Sequence, residues 1–219
     1  MLGNWQGFFP HSRVKSRLSN AVSHLQDDAI AVRVMAIACL EAILRDYPQY
    51  YGEIMKILAQ FIGDRTPMSK SQGVVCEDVQ AALGVIGHNQ VRSAHQSELI
   101  DLSYGYFRGV NLEYCNFAGV NFYQADFSGA CLRHTNLQGA ILSAANFSNA
   151  NLEYANLMGA NLGAANLTQT NCRYADLTAA NLYLVKLLDT DFSGANLTQA
   201  NLHGVDLSLA KIQNLESKI

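Results

Sequence analysis

The sequence predicts a solenoid of short stacked repeats, preceded by a small α-helical N-terminal domain. Three observations carry that prediction. From Leu102 to Ile212 every fifth residue is Leu or Phe, apart from Cys172 and Ile212 themselves, an unbroken run of 23 pentads. Before it, residues 13 to about 87 place apolar side chains three or four apart, which is the period of a helix face. Between the two regions lies the polar stretch HNQVRSAHQS, residues 88–97. The expected domains are therefore 1–97 (about four helices acting as a cap), 98–213 (the repeat) and a short tail, 214–219.

The helical elements follow in order. Residues 13–25 form a helix on Val14, Leu18, Val22 and Leu25. In the next, Ile30, Val34, Ile37, Leu40, Leu44 and Tyr47 make one face, Asp27 or Asp28 caps the start and Pro48 stops it. A helix near 50–62 uses Ile54, Leu58 and Phe61, with Gly63 as its C-terminal stop. DRTPMSKSQG, residues 64–73, reads as a loop. A last helix near 76–86 carries Val79, Leu83 and Ile86 and ends at Gly87, so Gly84 and Gly87 are expected to be helix-end glycines.

A strict repeat means identical units that cannot bury their apolar positions alone. Two residues before each large one stands a small one, as at Ala125, Ala145, Ala160, Ala175 and Ala195, and the position between is Asn or Asp in 18 of the 23 pentads. If each pentad is one side of a coil, large and small residues share a narrow interior. Leu112, Phe117, Phe122, Phe127, Leu132, Leu137, Leu152, Leu157, Leu162 and Leu167 are then core. Burying one Leu or Phe contributes roughly 1.5–3 kcal/mol, whereas ordering each backbone residue costs roughly 1–2 kcal/mol. Stability must therefore come from stacking between coils, cooperatively along the length.

The stretch ANLEYANLMGANLGAANLTQT resembles the A-(D/N)-L-x-x motif of the pentapeptide repeat proteins, over residues 100–213. The resemblance implies a mainly β fold, a right-handed quadrilateral β-helix with four pentads, or 20 residues, per coil, and almost six coils. The helical half, VRVMAIACLEAILRDYPQYYGEIMKILAQFI followed by EDVQAALGVIG, is similar to a segment that precedes such repeats in many cyanobacterial proteins.

With 20 residues per coil, positions 20 apart stack at the strand spacing of about 4.8 Å. One outward face then reads Glu113-Tyr114, Arg133-His134, Glu153-Tyr154, Arg173-Tyr174, with charge alternating up the stack and a ring beside each charge. Neighbouring opposite charges satisfy one another on such a surface, yet exposed Tyr and Arg are also the residues enriched at binding hot spots. This face is the candidate partner-binding surface. The other three are blander: Arg108, Ser128, Ser148, Thr168 and Leu188 on one; Ala118, Gln138, Met158, Thr178 and Thr198 with Gly119, Gly139 and Gly159 on the next; Tyr123, Tyr183 and His203 on the last.

Composition narrows the function. Charged residues are 15% of the chain and the net charge is -3, so binding nucleic acid directly through bulk positive charge is not expected. The start, MLGNWQGFFPHSRVK, lacks a secretory leader's pattern, no apolar run reaches the roughly 18 residues of a membrane span, and the five cysteines fit no disulfide or zinc framework. A cytoplasmic protein is expected, without membrane association. Cys131-x-x-His134 has two metal-type ligands where a zinc site needs four, and Asp189 with Asp191 is a weak cation pair. No nucleotide loop, nucleophile elbow or acid-base pair occurs. The expectation is a non-enzymatic interaction or scaffold module, without cofactor or metal, binding a protein partner through a rigid rod. A homodimer through a thinly covered C-terminal coil is also expected. The family resemblance offers an alternative, a DNA mimic that inhibits or protects type II topoisomerase. Nine acids against six bases over residues 99–219 make a poor copy of duplex DNA.

Overall fold

A computed structural model describes residues 10–66, 73, 75–89 and 99–213. Four helices lead: α1 (Pro10–His24), α2 (Ile30–Asp46), α3 (Tyr51–Arg65) and α4 (Glu77–Asn89), with a 3-10 turn at Pro48–Tyr50 between α2 and α3. α2 lies at their centre and packs on α1, α3 and α4. No helix among the described residues is long and apolar enough to cross a membrane.

Several details of the helices differ from the sequence expectation. The inner face of α2 is Arg33, Ala36, Ile37, Leu40, Ile43 and Leu44, while Ile30 is 42% exposed. Neither Asp27 nor Asp28 caps α2, whose N-cap is Ala29 without a side-chain bond. Asp27 Oδ1 instead accepts the Ala29 N–H, and Arg33 reaches back to donate to the carbonyls of Asp27 and Asp28 at 2.8 Å each. That arginine is buried because Asp78 on α4 meets it at 2.6 Å, and Arg65 of α3 stands 3.9 Å from the same carboxylate. Removing one partner of such a pair strands a buried charge, which costs about 3–5 kcal/mol.

Three glycines expected to end helices, Gly63, Gly84 and Gly87, lie inside them. α3 continues through Gly63 to Arg65, and α4 through Gly87 to Asn89. Gly87 is there for space: a Cβ on it would sit 2.6 Å from Cys115 Cβ and 3.1 Å from Phe117 Cζ. The expected loop 64–73 loses its first two residues to α3, and 67–72 lie outside the described residues, as does most of the expected boundary segment.

From Asp101 onward parallel bridges join residues 20 apart, such as Asp101 to Asn121 and Asn151 to Asn171. One pentad shows why the repeat has its residues. Asn151 N–H donates one turn down to Ala130 O, at 2.9 Å, and Leu152 N–H one turn up to Asn171 O, at 2.7 Å. Glu153 N–H goes to Asn151 Oδ1 at 3.1 Å, Tyr154 N–H up to Arg173 O at 3.0 Å, and Ala155 N–H back to Leu152 O at 3.0 Å. Every N–H of the pentad is used, and the one no carbonyl reaches is taken by the Asn side chain. The same local bond recurs at Asp101, Asn121, Asp176 and Asn201, among others, which is the physical reason for Asn or Asp at this position.

Asn does a second job that Asp cannot. Its Nδ2 donates one turn down to the amide or carboxylate oxygen beneath: Asn121 to Asp101, Asn136 to Asn116, Asn146 to Asp126, Asn171 to Asn151 and Asn201 to Asn181, all at 2.8–3.1 Å. The chain turns each corner at the second residue after the large one, which takes a left-handed conformation. Glycine fills it at Gly119 and Gly139 (φ 73 and 64), but Tyr154 and Ala179 do too (φ 58 and 56). For a residue with a Cβ this costs roughly 1–2 kcal/mol, offset by the hydrogen bond its N–H makes to the next turn.

The interior is as narrow as the small positions imply. Leu112, Phe117, Phe122, Phe127, Leu132, Leu137, Leu152, Leu157, Leu162 and Leu167 are all essentially inaccessible. Phe107, Phe117, Phe122, Phe127 and Phe147 meet ring to ring at 5.0–6.0 Å. Buried Thr135, Thr170 and Thr190 at small positions donate to carbonyls 23 residues earlier, at 2.6–2.8 Å.

The two ends differ. At the N-terminal end, the helical region meets the first turn with hydrogen-bonding groups. Tyr106 N–H donates to Thr66 O, Val75 N–H to Arg108 O, and Asn116 N–H to Gly87 O. At the other end the 20-residue register is interrupted: Leu207–Leu209 form a 3-10 turn and Asp206 has no bridge to Lys186, before Lys211 pairs again with Asp191. Leu202 and Leu207 are half-buried there and Ile212 is 43% exposed.

Candidate recognition face

Tyr114, His134, Tyr154 and Tyr174 all occupy corner positions, with φ between 54 and 62. Identical backbone geometry every 20 residues projects the four rings from one edge, and they stack. Centroids lie 4.8, 4.9 and 5.0 Å apart with interplanar angles of 3, 1 and 11 degrees. The stack ends above Tyr174 at Gly194, where a Cβ would meet that ring at 2.5 Å. Tyr114 is 67% exposed, Tyr154 and Tyr174 each 46%.

Beside the rings runs the charged column. Arg133 sits between two carboxylates, Nη1 at 3.2 Å from Glu113 Oε1 and Nε at 3.2 Å from Glu153 Oε2. The expected four-step alternation stops there. Glu153 is already engaged from below, so Arg173 lies along its neighbour's ring, its Cζ 5.6 Å from the Tyr174 centroid. The hydrogen bond with Tyr174 holds the Arg173 guanidinium above its ordinary range, with smaller contributions from Asp191 and Glu153. The face is thus a bridged triad, Glu113–Arg133–Glu153, with a net charge of one negative, capped by Arg173, which has no carboxylate in salt-bridge range among the described residues and balances that charge.

Elsewhere, Tyr183 stacks on His203 at 5.7 Å and Tyr104 meets Tyr123 edge-on at 5.5 Å. The Tyr183–His203 pair follows the same 20-residue spacing, whereas Tyr104 and Tyr123 are 19 apart and that spacing does not point to them. Cys131 takes an Asn position, bridged between Asn111 and Asn151. Among the described residues no group of three or more His, Cys, Asp or Glu could hold a metal. Asp189 and Asp191 are separated by the inward Thr190, and Asp191 accepts the Ser193 N–H. Cys115, under α4, approaches His88 Nε2 at 3.9 Å, and burial pushes its thiol up to about 11, away from nucleophilic use.

Comparison with known proteins agrees with the repeat. The family model described as pentapeptide repeats matches residues 106–143, 145–182 and 185–214, in eight copies. The chain is similar to three solved structures, each over about half its length. HetL, a pentapeptide repeat protein involved in heterocyst differentiation regulation from the cyanobacterium Nostoc sp. strain PCC 7120, is 25% identical. That match covers 53% of this chain and 69% of HetL, with a TM-score of 0.37. A pentapeptide repeat protein of the Arabidopsis thaliana thylakoid lumen is 32% identical, over 52% of this chain and 79% of that one, with a TM-score of 0.25. QnrB1, a plasmid-mediated fluoroquinolone resistance protein, is 17% identical over 55% of this chain and 78% of its own, with a TM-score of 0.37. No curated protein sequence matches the chain.

Proposed function

The chain belongs to the pentapeptide repeat family, whose members fold as right-handed β-helices and are generally non-catalytic structural or interaction modules, and on that premise we propose that it is a rigid protein-docking rod. Its organisation is a helical cap, residues 1–97, on a quadrilateral repeat of almost six coils, residues 98–213, with a short tail at 214–219. The docking surface is the face of Glu113, Tyr114, Arg133, His134, Glu153, Tyr154, Arg173 and Tyr174, and the partner is another protein in the cytoplasm. The observation that carries this reading is the ordered stack: four rings and a bridging arginine held in place before any partner arrives. Side chains already fixed lose little entropy on binding, and large rigid rings with arginine are the usual hot-spot chemistry. The face has two acids and two bases, so it does not imitate the phosphates of a duplex, and the topoisomerase reading gains nothing from it.

The test compares partner capture by three full-length proteins from the native cell extract. Wild type should retain a partner that Arg133→Ala, Tyr154→Ala loses and that Ser148→Ala, Thr168→Ala, on another face, keeps. If the Arg133/Tyr154 variant folds normally and retains every partner at unchanged affinity, the face is only a self-satisfied surface. Homodimerisation through the C-terminal coil is a separate reading, and an alternative to self-pairing through any helical surface. It rests on the interrupted register at Leu207–Leu209 and the exposure of Ile212, and a dimer that survives Leu209→Asp, Ile212→Asp would exclude it.

A further inference from the structure

Among the described residues, nothing covers the outer face of α2. The solvent side of a helix in a small bundle is ordinarily polar. Yet from Ala29 to Leu44 the only charged residues are Arg33, which is buried, and Glu41, which is exposed at the edge of this face. Opposite the inner face stand Ala31, Met35, Ala38 and Ala42, spaced four, three and four residues apart, and Arg45 follows after three more. That alternation is the seam along which two helices pack side by side. Met35 is 72% exposed and Ile30, beside the seam, 42%. Ala31 and Ala38 are exposed, and Val34 and Cys39 flank them half-buried.

The charges at the ends of the seam indicate its occupant. Asp27 and Asp28 are exposed immediately before α2, and Arg45 is exposed in its last turn. Within the chain Arg45 has only a loose surface pair, 3.7 Å to Asp46 with side chains 76% and 48% exposed. A second α2 laid antiparallel puts its Ala38 opposite Met35, its Ala31 opposite Ala42 and its Arg45 opposite Asp28. A two-fold axis repeats each of these pairings at the other end, so one surface is complementary to itself.

We propose that this face is a homodimer interface, in which α2 pairs antiparallel with α2 of a second copy along Ala31, Met35, Ala38 and Ala42, with Asp28 and Arg45 facing across both ends. The alanines let the helix axes approach closely, and the two Met35 side chains, flexible and polarisable, fill the space between them. The interface is at the helical end, so both aromatic ladders remain open and a dimer presents two of them at once.

The test is the mass of the full-length protein by sedimentation equilibrium over a range of concentrations. Wild type should be a dimer and Met35→Glu a monomer with an unchanged circular dichroism spectrum. Arg45→Glu and Asp28→Arg should each weaken the dimer by about tenfold or more. An equimolar mixture of those two variants should dimerise again. The glutamate introduced in one copy then meets the arginine introduced in the other, while the native Arg45 and Asp28 still face each other at the opposite end. A monomeric wild type overturns the proposal; it is the result expected if residues 1–9 or another protein cover the face. A dimer that Met35→Glu leaves intact overturns it in favour of another surface, the C-terminal turns included. Failure of the mixture to recover overturns the antiparallel register. None of these outcomes bears on partner capture by the aromatic ladder, so the two proposals stand or fall separately.

Discussion

Gln80 pairs with Asn111 through both ends of its amide: Nε2 donates to Asn111 O at 2.6 Å and Oε1 accepts Asn111 N–H at 2.9 Å. A neighbouring turn of the solenoid would offer its backbone in the same way, so a helix side chain stands in for a missing strand. Unpaired strand edges invite pairing with other chains, and this contact closes one side of the first turn. Gln80→Leu should lower the unfolding free energy by about 1–3 kcal/mol without changing helix content, as read by urea denaturation and circular dichroism. An unchanged midpoint would mean that water serves Asn111 equally well.

Gly87 and Gly139 should answer to alanine for different reasons. Gly139 has φ 64 with open space around its Cβ position, so Gly139→Ala meets only backbone strain, about 1 kcal/mol. Gly87 has ordinary helical geometry, where alanine would normally stabilise by roughly 0.5–1 kcal/mol. The contact with Cys115 reverses that sign, and Gly87→Ala should destabilise by about 1–3 kcal/mol. Adding Cys115→Gly should recover part of the loss, and a double variant no better than the single would rule out the clash.

The ladder predicts a spectroscopic effect at its upper end. Gly194→Ala places a methyl against the Tyr174 ring, which must swing away. Near-ultraviolet circular dichroism should change by a larger fraction than for Gly139→Ala, although both carry the same backbone strain of about 1 kcal/mol. Equal spectra would show that Tyr174 accommodates the methyl within the stack.

Alkaline pH should destabilise the fold through its buried thiols. Burial raises Cys115 from 9.0 to about 11 and Cys172 further still. Above about pH 9 the unfolded chain therefore loses protons that the folded chain keeps, and folding stability falls as pH rises. Below that pH both states hold their protons and these groups contribute no slope. Urea midpoints should drop between pH 8 and pH 10.5, and Cys115→Ala, Cys172→Ala should flatten the drop. An equally steep loss in the double variant would exclude the thiols as its source.

Period and stacking were legible in the sequence because they depend only on spacing. The inward row from Leu102 and the adjacency of Tyr114, His134, Tyr154 and Tyr174 both follow from counting in fives and twenties. What spacing does not carry is backbone sign. Gly119, Gly139 and Gly159 read as a bland surface, and only the structure shows that they relieve a left-handed corner that Tyr154 and Ala179 endure. Arg133 and Arg173 have similar local sequences but different fates, because Arg133 has a glutamate above and below while Ser193 stands above Arg173. That difference was in the sequence, one turn further on. The Arg33–Asp78 pair joins residues on two helices, and no periodicity within either helix points to it.

The amides that run up the rod give it a grain. Where the downward bond forms, the upper Asn hands its hydrogen to the oxygen below, so Asp101 and Asp126 are harmless at the foot of a run, where only acceptance is asked of them. Chemical ageing converts asparagine to aspartate without regard to position, and here position decides the damage. Deamidated Asn151 would still accept from Asn171. Deamidated Asn171 would set a carboxylate against the Asn151 oxygen it used to serve. One lesion, twenty residues apart, is silent in the first case and opens a seam between turns in the second.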